Sequence, residues 1–173
     1  MDAETEIGEL IVYKSEARMN YKKWIFLAFS LFWLGTIFFF SLQPADESGD
    51  TSKEFGRMLV ELVAPEWSDE LDEMSPAQLE HWNHVLRKCA HFTEYLILGV
   101  LVTNTLYHMP VHRKLLTGIG LCGIAAAVDE TIQLFVPGRS GQVSDVLLDC
   151  FGAFVGIMLV YSYKNRITKH CRP

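Results

Sequence analysis

The side chains of this sequence best equipped for chemistry are His91 and Glu94, then Asp129, Glu130 and Gln133, then Arg139, Asp145 and Asp149. Their spacing is helical: Lys88, His91 and Tyr95 are offset by three and four positions, His91 and Glu94 by three, and Asp129 and Gln133, like Asp145 and Asp149, by four. Each set therefore shares one helix face. An imidazole oriented by Glu94 or Asp129 can act as general base or nucleophile, and a guanidinium such as that of Arg139 can stabilise developing negative charge, which makes His91, Glu94, Asp129 and Glu130 the catalytic candidates. Without a reaction the same groups would bind: Arg87, Lys88 and Arg139 suit phosphate or carboxylate, and the acids suit amines or sugar hydroxyls. His91, Glu94 and Asp129 could also ligate a metal, but HExxH is absent, and neither a metal nor a cofactor is expected.

These residues sit at the ends of apolar runs. Trp24 to Leu42 carries no charge and is long enough, at 1.5 Å per residue, to cross a bilayer core. Cleavage as a signal peptide would need a shorter apolar core and an A-x-A-like site, where Gln43, Pro44 and Ala45 stand instead. Runs at 89–109, 115–136 and 143–163 are similar in length, so the expected fold is an all-α polytopic membrane protein with four transmembrane helices plus amphipathic outer helices. Its parts are a tail at 1–23, a membrane domain at 24–163 with an outer segment at 43–88, and a tail at 164–173. Basic residues before the first span (Lys14, Arg18, Lys22, Lys23), between the second and third (Arg113, Lys114) and after the fourth (Lys164, Arg166, Lys169, Arg172) place both termini in the cytoplasm of a multi-pass cell-membrane protein. Arg87 and Lys88 beside the second span run against this, outweighed by the basic tails.

The outer segment is patterned. Thr51 and Glu54 form a capping box ahead of Phe55, Met58, Leu59, Leu62 and Val63, an apolar stripe at helical spacing that either lies on the outer leaflet or packs as a lid. Pro65 ends it, acids follow through Glu73, and Ser75-Pro76 with Gln78 starts a further helix with the stripe Leu79, Trp82, Leu86 and Ala90. His81 and His84 on that helix read as surface residues.

With this orientation the polar end of every span is the outer one, which predicts a polar pocket opening outward. A charge at mid-membrane costs about 2.5–3.5 kcal/mol on insertion scales, so such groups pair or line a wet cavity. Arg139, Arg87 and Lys88 could neutralise the acids, with His91 donating to one of them. Counting Glu94, five acids face three bases, leaving two carboxylates in need of a proton, a cation, a ligand or a charged His91. Gly152 and Gly156 form a GxxxG that permits close helix approach, and Gly118, Cys122 and Ala125 offer a small-residue packing surface. The four cysteines lack CxxC spacing, so they indicate neither zinc nor a disulfide framework, and Cys122 and Cys150 read as packing residues.

Composition narrows the partners. Fifteen Lys and Arg against 21 Asp and Glu give a net charge of -6, which excludes a broad basic surface and with it nucleic acid as a partner. A mean hydropathy of only +0.16 conceals the partition between apolar runs and charged tails.

Two stretches, RKCAHFTEYLILG at Arg87 to Gly99 and DETIQLFVPGRSGQVSDVLLDCFGAFVG at Asp129 to Gly156, resemble the VanZ-like family, with similarity from Ser41 onward. That family takes its name from a membrane protein conferring low-level teicoplanin resistance. The resemblance implies a small multi-span bundle and points to Arg87, Lys88, His91, Glu94, Tyr95, Asp129, Glu130, Gln133, Pro137, Gly138, Arg139 and Asp145. Asp149 stands where an Asn is often found, which adds a charge. The expected ligand-binding set is Arg87, Lys88, His91, Glu94, Tyr95, Asp129, Glu130, Gln133, Arg139, Asp145 and Asp149. Membrane lipid is one expected partner. A glycopeptide antibiotic or a lipid-linked cell-envelope precursor is the other, with a contribution to antibiotic resistance. The alternative is a membrane-embedded hydrolase acting on a lipid-linked substrate. The run Arg139, Asp145, Asp149 echoes the spacing in type 2 phosphatidic-acid phosphatases, but Asp145 replaces the histidine and their other motifs are missing.

Overall fold

A computed structural model describes residues 3–44, 54, 56–58, 60–62, 65–67 and 74–170, with side chains from 21 to 167 within these ranges. Four long helices make up the bundle: α1 (Ala3–Ser41), α2 (Pro76–Tyr107), α3 (Lys114–Gln133) and α4 (Val143–His170), with a single 3-10 turn at Pro65–Trp67. No strand occurs among the described residues.

Among the described residues, three helical segments are long and apolar enough to cross a membrane, Tyr21–Ser41, Lys114–Gln133 and Val143–Ile167. The expectation of four spans is corrected to three on that measure. The stretch 89–109, within α2, falls short because His91, Glu94, Thr103, Asn104 and Thr105 interrupt its apolar residues. Those polar groups turn inward or back-bond. His91, Thr103 and Thr105 are buried, Asn104 Nδ2 donates to the Val100 carbonyl at 2.9 Å, and the Thr105 and Ser30 hydroxyls meet at 3.1 Å between α2 and α1. The outside of the bundle is the reverse, with Phe29, Phe32 and Phe39 on α1, Leu121 and Ile124 on α3, and Phe151 and Leu159 on α4 all exposed. Polar inside and apolar outside is the partition that a hydrocarbon solvent enforces, because lipid offers no hydrogen bonds. The chain is an all-helical membrane protein.

Backbone contact sets the helix arrangement. A Cβ on Gly152 would run into the carbonyl oxygen of Phe92, one on Gly156 into that of Leu96, and one on Gly99 into that of Ala153. Partner positions rise by four on both helices, so α2 and α4 run parallel with their main chains in contact. The expected GxxxG packing face is observed. Gly118, Cys122 and Ala125 are buried as expected, and Tyr95, Ile37, Ile157 and Ala126 complete the core.

Before α2, Gln78 Oε1 accepts the Ser75 backbone N–H at 2.9 Å and Pro76 opens the first turn, as the sequence predicts. The backbone is helical at 54, 56–58 and 60–62. Gly56 is buried against Leu86 and Trp82 of α2, while Met58 and Leu62 face outward. Thr51, Phe55, Leu59, Val63 and the acids from Asp69 to Glu73 lie outside the described residues.

Gly156→Ala is expected to lower stability in detergent by about 1–3 kcal/mol, the usual cost of overpacking. Gly120→Ala, where a Cβ meets nothing within 4 Å, should leave it unchanged or raise it. Thermal unfolding of both variants at matched expression checks this.

Candidate functional site

One end of the bundle gathers most of the chemistry-bearing residues. It comprises the last turn of α1, the middle of α2, the last turns of α3 and the first turns of α4. His91, Asp129, Glu130 and Asp149 each offer a donor atom there, all within 4.8 Å of one another. The α2–α4 glycine contact carries His91 to Asp149, and the parallel course of α1 and α3 carries Ser41 to Asp129.

Neutral donors hold two of the three acids. The Ser41 hydroxyl donates to Asp129 Oδ1. Gln133 Nε2 lies 3.4 Å from Asp129 Oδ2 and 3.3 Å from Glu130 Oε1, and the backbone N–H of Gln142 donates to Glu130 Oε2 at 2.9 Å. Asp149 has no such support: it is 0% exposed and neither carboxylate oxygen has a hydrogen-bond partner. His91 Nδ1 also lacks a hydrogen bond, standing 3.4 Å from Asp149 Oδ1 and 4.0 Å from Asp129 Oδ2. The Tyr95 hydroxyl, one turn beyond His91, is buried without a partner.

The cations lie beside this cluster rather than in it. Lys88 Nζ bonds Asp145 Oδ1 at 2.5 Å, so the neutralisation expected of the basic trio is met by this pair alone. Arg139 makes no ion pair among the described residues; its Nη2 donates to the Phe40 carbonyl at 3.1 Å and its buried Nε is unpartnered. Gly138 supplies the turn before it with φ of 75°, a conformation that costs glycine nothing and other residues about 1–2 kcal/mol. Burial and the nearby Arg87 guanidinium lower the Arg139 pKa, against the carboxylates of Asp129, Glu130 and Glu94, yet an arginine so placed stays charged.

The site thus has a closed floor and a cationic rim. His91, Asp129, Glu130 and Asp149 are 9% exposed or less, which is more closed than an open pocket, whereas Lys88 is 34% exposed and Arg87 is half-buried. Glu94, half-buried, acts on the cluster by charge but is not one of the four converging groups. Its backbone carbonyl accepts Trp33 Nε1 at 2.9 Å. His81 and His84 are on the surface, as expected. The contacts of the Ser41 hydroxyl and the Gln142 amide have no signal in the sequence, the first because Ser41 lies at the end of an apolar run and the second because it is main chain.

Removing Lys88 from the Lys88–Asp145 pair leaves the buried Asp145 carboxylate without its cation. Lys88→Met should cost about 2 kcal/mol, less than the 3–5 of a fully buried pair, because Lys88 is one-third exposed. Adding Asp145→Leu to it should restore most of the loss. Denaturant unfolding of wild type, single and double variants measures the coupling.

The VanZ/LLP1 family's sequence profile matches residues 26–164. No curated protein and no solved structure matches the chain. The profile covers α2 and α3 in full, most of α4, the second half of α1 and every residue of the cluster, so the chain belongs to the VanZ/LLP1 family.

Proposed function

We propose that the protein binds the anionic headgroup of an outer-leaflet amphiphile, a glycopeptide antibiotic or a lipid-linked cell-envelope precursor, at the rim formed by Arg87, Lys88 and Arg139, and thereby contributes to glycopeptide resistance. One observation carries the reading: Arg139 keeps a buried Nε donor with nothing to bond, and the Arg87 guanidinium acts on it by charge. Like charges held together beside an apolar surface favour an anion that bridges them, and guanidinium is the group best shaped for phosphate or carboxylate. The aromatic and aliphatic flanks, Phe39, Phe40 and Phe135, are exposed and give an acyl chain or a hydrophobic antibiotic a surface to lie against. Family membership is consistent with this role, since the family is named for a teicoplanin-resistance protein.

The orientation belongs to the same proposal. Both termini lie in the cytoplasm if α2, packed along α4, crosses the membrane with it despite its polar residues; the α3–α4 turn then faces out and the α2–α3 turn faces in. In an otherwise cysteine-free chain, Ser140→Cys should react with an impermeant thiol reagent on intact cells and Arg113→Cys should not. Labelling at Arg113→Cys alone would reverse the topology.

An Arg139→Gln variant should fold yet bind teicoplanin about 10- to 100-fold more weakly in nanodiscs, the loss expected for one charge-assisted contact of about 1.5–3 kcal/mol. Resistance should fall at matched expression. Unchanged binding and unchanged resistance would sink the rim hypothesis. Turnover of a lipid-linked substrate that depends on His91 would favour the hydrolase reading, for which the bare Nδ1 beside Asp149 is the relevant geometry.

A further inference from the structure

The rim accounts for the cations but leaves the floor unexplained. Three carboxylates and an imidazole lie within 4.8 Å of one another, inside a bundle whose outer surface is apolar. No Lys or Arg ion pair reaches Asp129, Glu130 or Asp149 among the described residues, because Lys88 is engaged with Asp145 and Arg139 with a carbonyl. Carboxylates this shielded from solvent must take up protons, meet a charged His91 or hold a cation among them.

We propose that His91, Asp129, Glu130 and Asp149 form a binding site for one divalent first-row metal ion of the Zn²⁺ or Mn²⁺ kind. An acidic cluster alone would not establish this. The independent observation is the pair of Asp149 oxygens, fully buried and without a hydrogen bond, converging with His91 Nδ1, which meets Oδ1 only as an ion-pair contact at 3.4 Å. The 3.4 Å from Nδ1 to Asp149 Oδ1 matches two donors each about 2.1 Å from a shared tetrahedral ion, while the 4.0 Å to Asp129 Oδ2 and the 4.8 Å span of the four require the side chains to draw in on binding.

The surroundings have the form of an outer coordination shell. Ser41 holds one oxygen of Asp129 and leaves Oδ2 turned toward His91, and the Gln142 amide holds one oxygen of Glu130. Gln133 bridges the same two acids. Neutral donors that fix carboxylates in place without neutralising them are what a metal site uses. One imidazole nitrogen among oxygens suits Zn²⁺ or Mn²⁺ and disfavours Ca²⁺, which takes oxygen ligands throughout. This departs from the metal-free expectation drawn from the sequence, and it replaces Glu94 in the ligand set considered there with Glu130 and Asp149. It stands whether or not the rim binds an amphiphile.

The test uses the full chain in detergent, stripped with a chelator and titrated with Zn²⁺, Mn²⁺ or Ca²⁺. One Zn²⁺ or Mn²⁺ per chain should bind and raise the melting temperature, with Ca²⁺ at least tenfold weaker. Asp149→Asn should weaken binding at least tenfold and, by relieving crowding of the acids, melt higher than the stripped wild type. Ser41→Ala should weaken it about tenfold, while His84→Ala on the surface should change nothing. Should Asp149→Asn not fold, the wild-type titration alone decides. No stoichiometric Zn²⁺ or Mn²⁺ binding with no melting shift would overturn the proposal, and so would affinity unchanged in both Asp149→Asn and His91→Ala.

Discussion

Everything at the polar end of this bundle depends on main chain touching main chain between α2 and α4. Gly99, Gly152 and Gly156 remove the side chains that would hold the helices apart, and the carbonyls of Phe92, Leu96 and Ala153 occupy the space. In lipid, where apolar side chains gain nothing from leaving water, such close approach is a main source of helix association. It also fixes rotation and register together. His91 lies one residue before Phe92 and Asp149 three before Gly152, so the contact that binds the helices also aims the imidazole at the carboxylate.

The second constraint is electrostatic and opposes the first. Packing α2 against α4 and α3 draws three acids into a space shielded from solvent. Lys88 relieves Asp145 at the edge, and Ser41, Gln133 and the Gln142 amide give Asp129 and Glu130 neutral donors. Asp149 receives none of this. The bundle therefore concentrates negative potential on its floor and positive potential on its rim, a separation that low dielectric preserves over several ångströms.

Much of this was legible in the sequence because its signals are local. The uncharged run 24–42, the GxxxG at Gly152 and Gly156, and the Ser75-Pro76-Gln78 helix start are written in neighbouring residues. Helical offsets placed His91, Asp129, Asp145 and Asp149 on inward faces. What could not be read was which inward groups meet across helices. Lys88 chooses Asp145 over Glu94, and Arg139 chooses a backbone carbonyl over any acid, because of rotation angles that no spacing records. The 89–109 stretch misled for the converse reason: it was counted as a span by its length, although its polar residues are tolerated only because other helices cover them.

The turn that carries Arg139 has a kinetic and entropic side. An arginine side chain holds about 2 kcal/mol of rotamer freedom, and a protein that leaves it free must give that up each time a ligand arrives. Here Gly138 fixes the backbone, the Phe40 carbonyl holds one end of the guanidinium, and burial restrains the Nε. That freedom is surrendered once, during folding. An anion bound as proposed would then require no reordering of the receiving group, and discrimination among ligands would fall to the shape of the ligand rather than to the ability of the protein to rearrange around it.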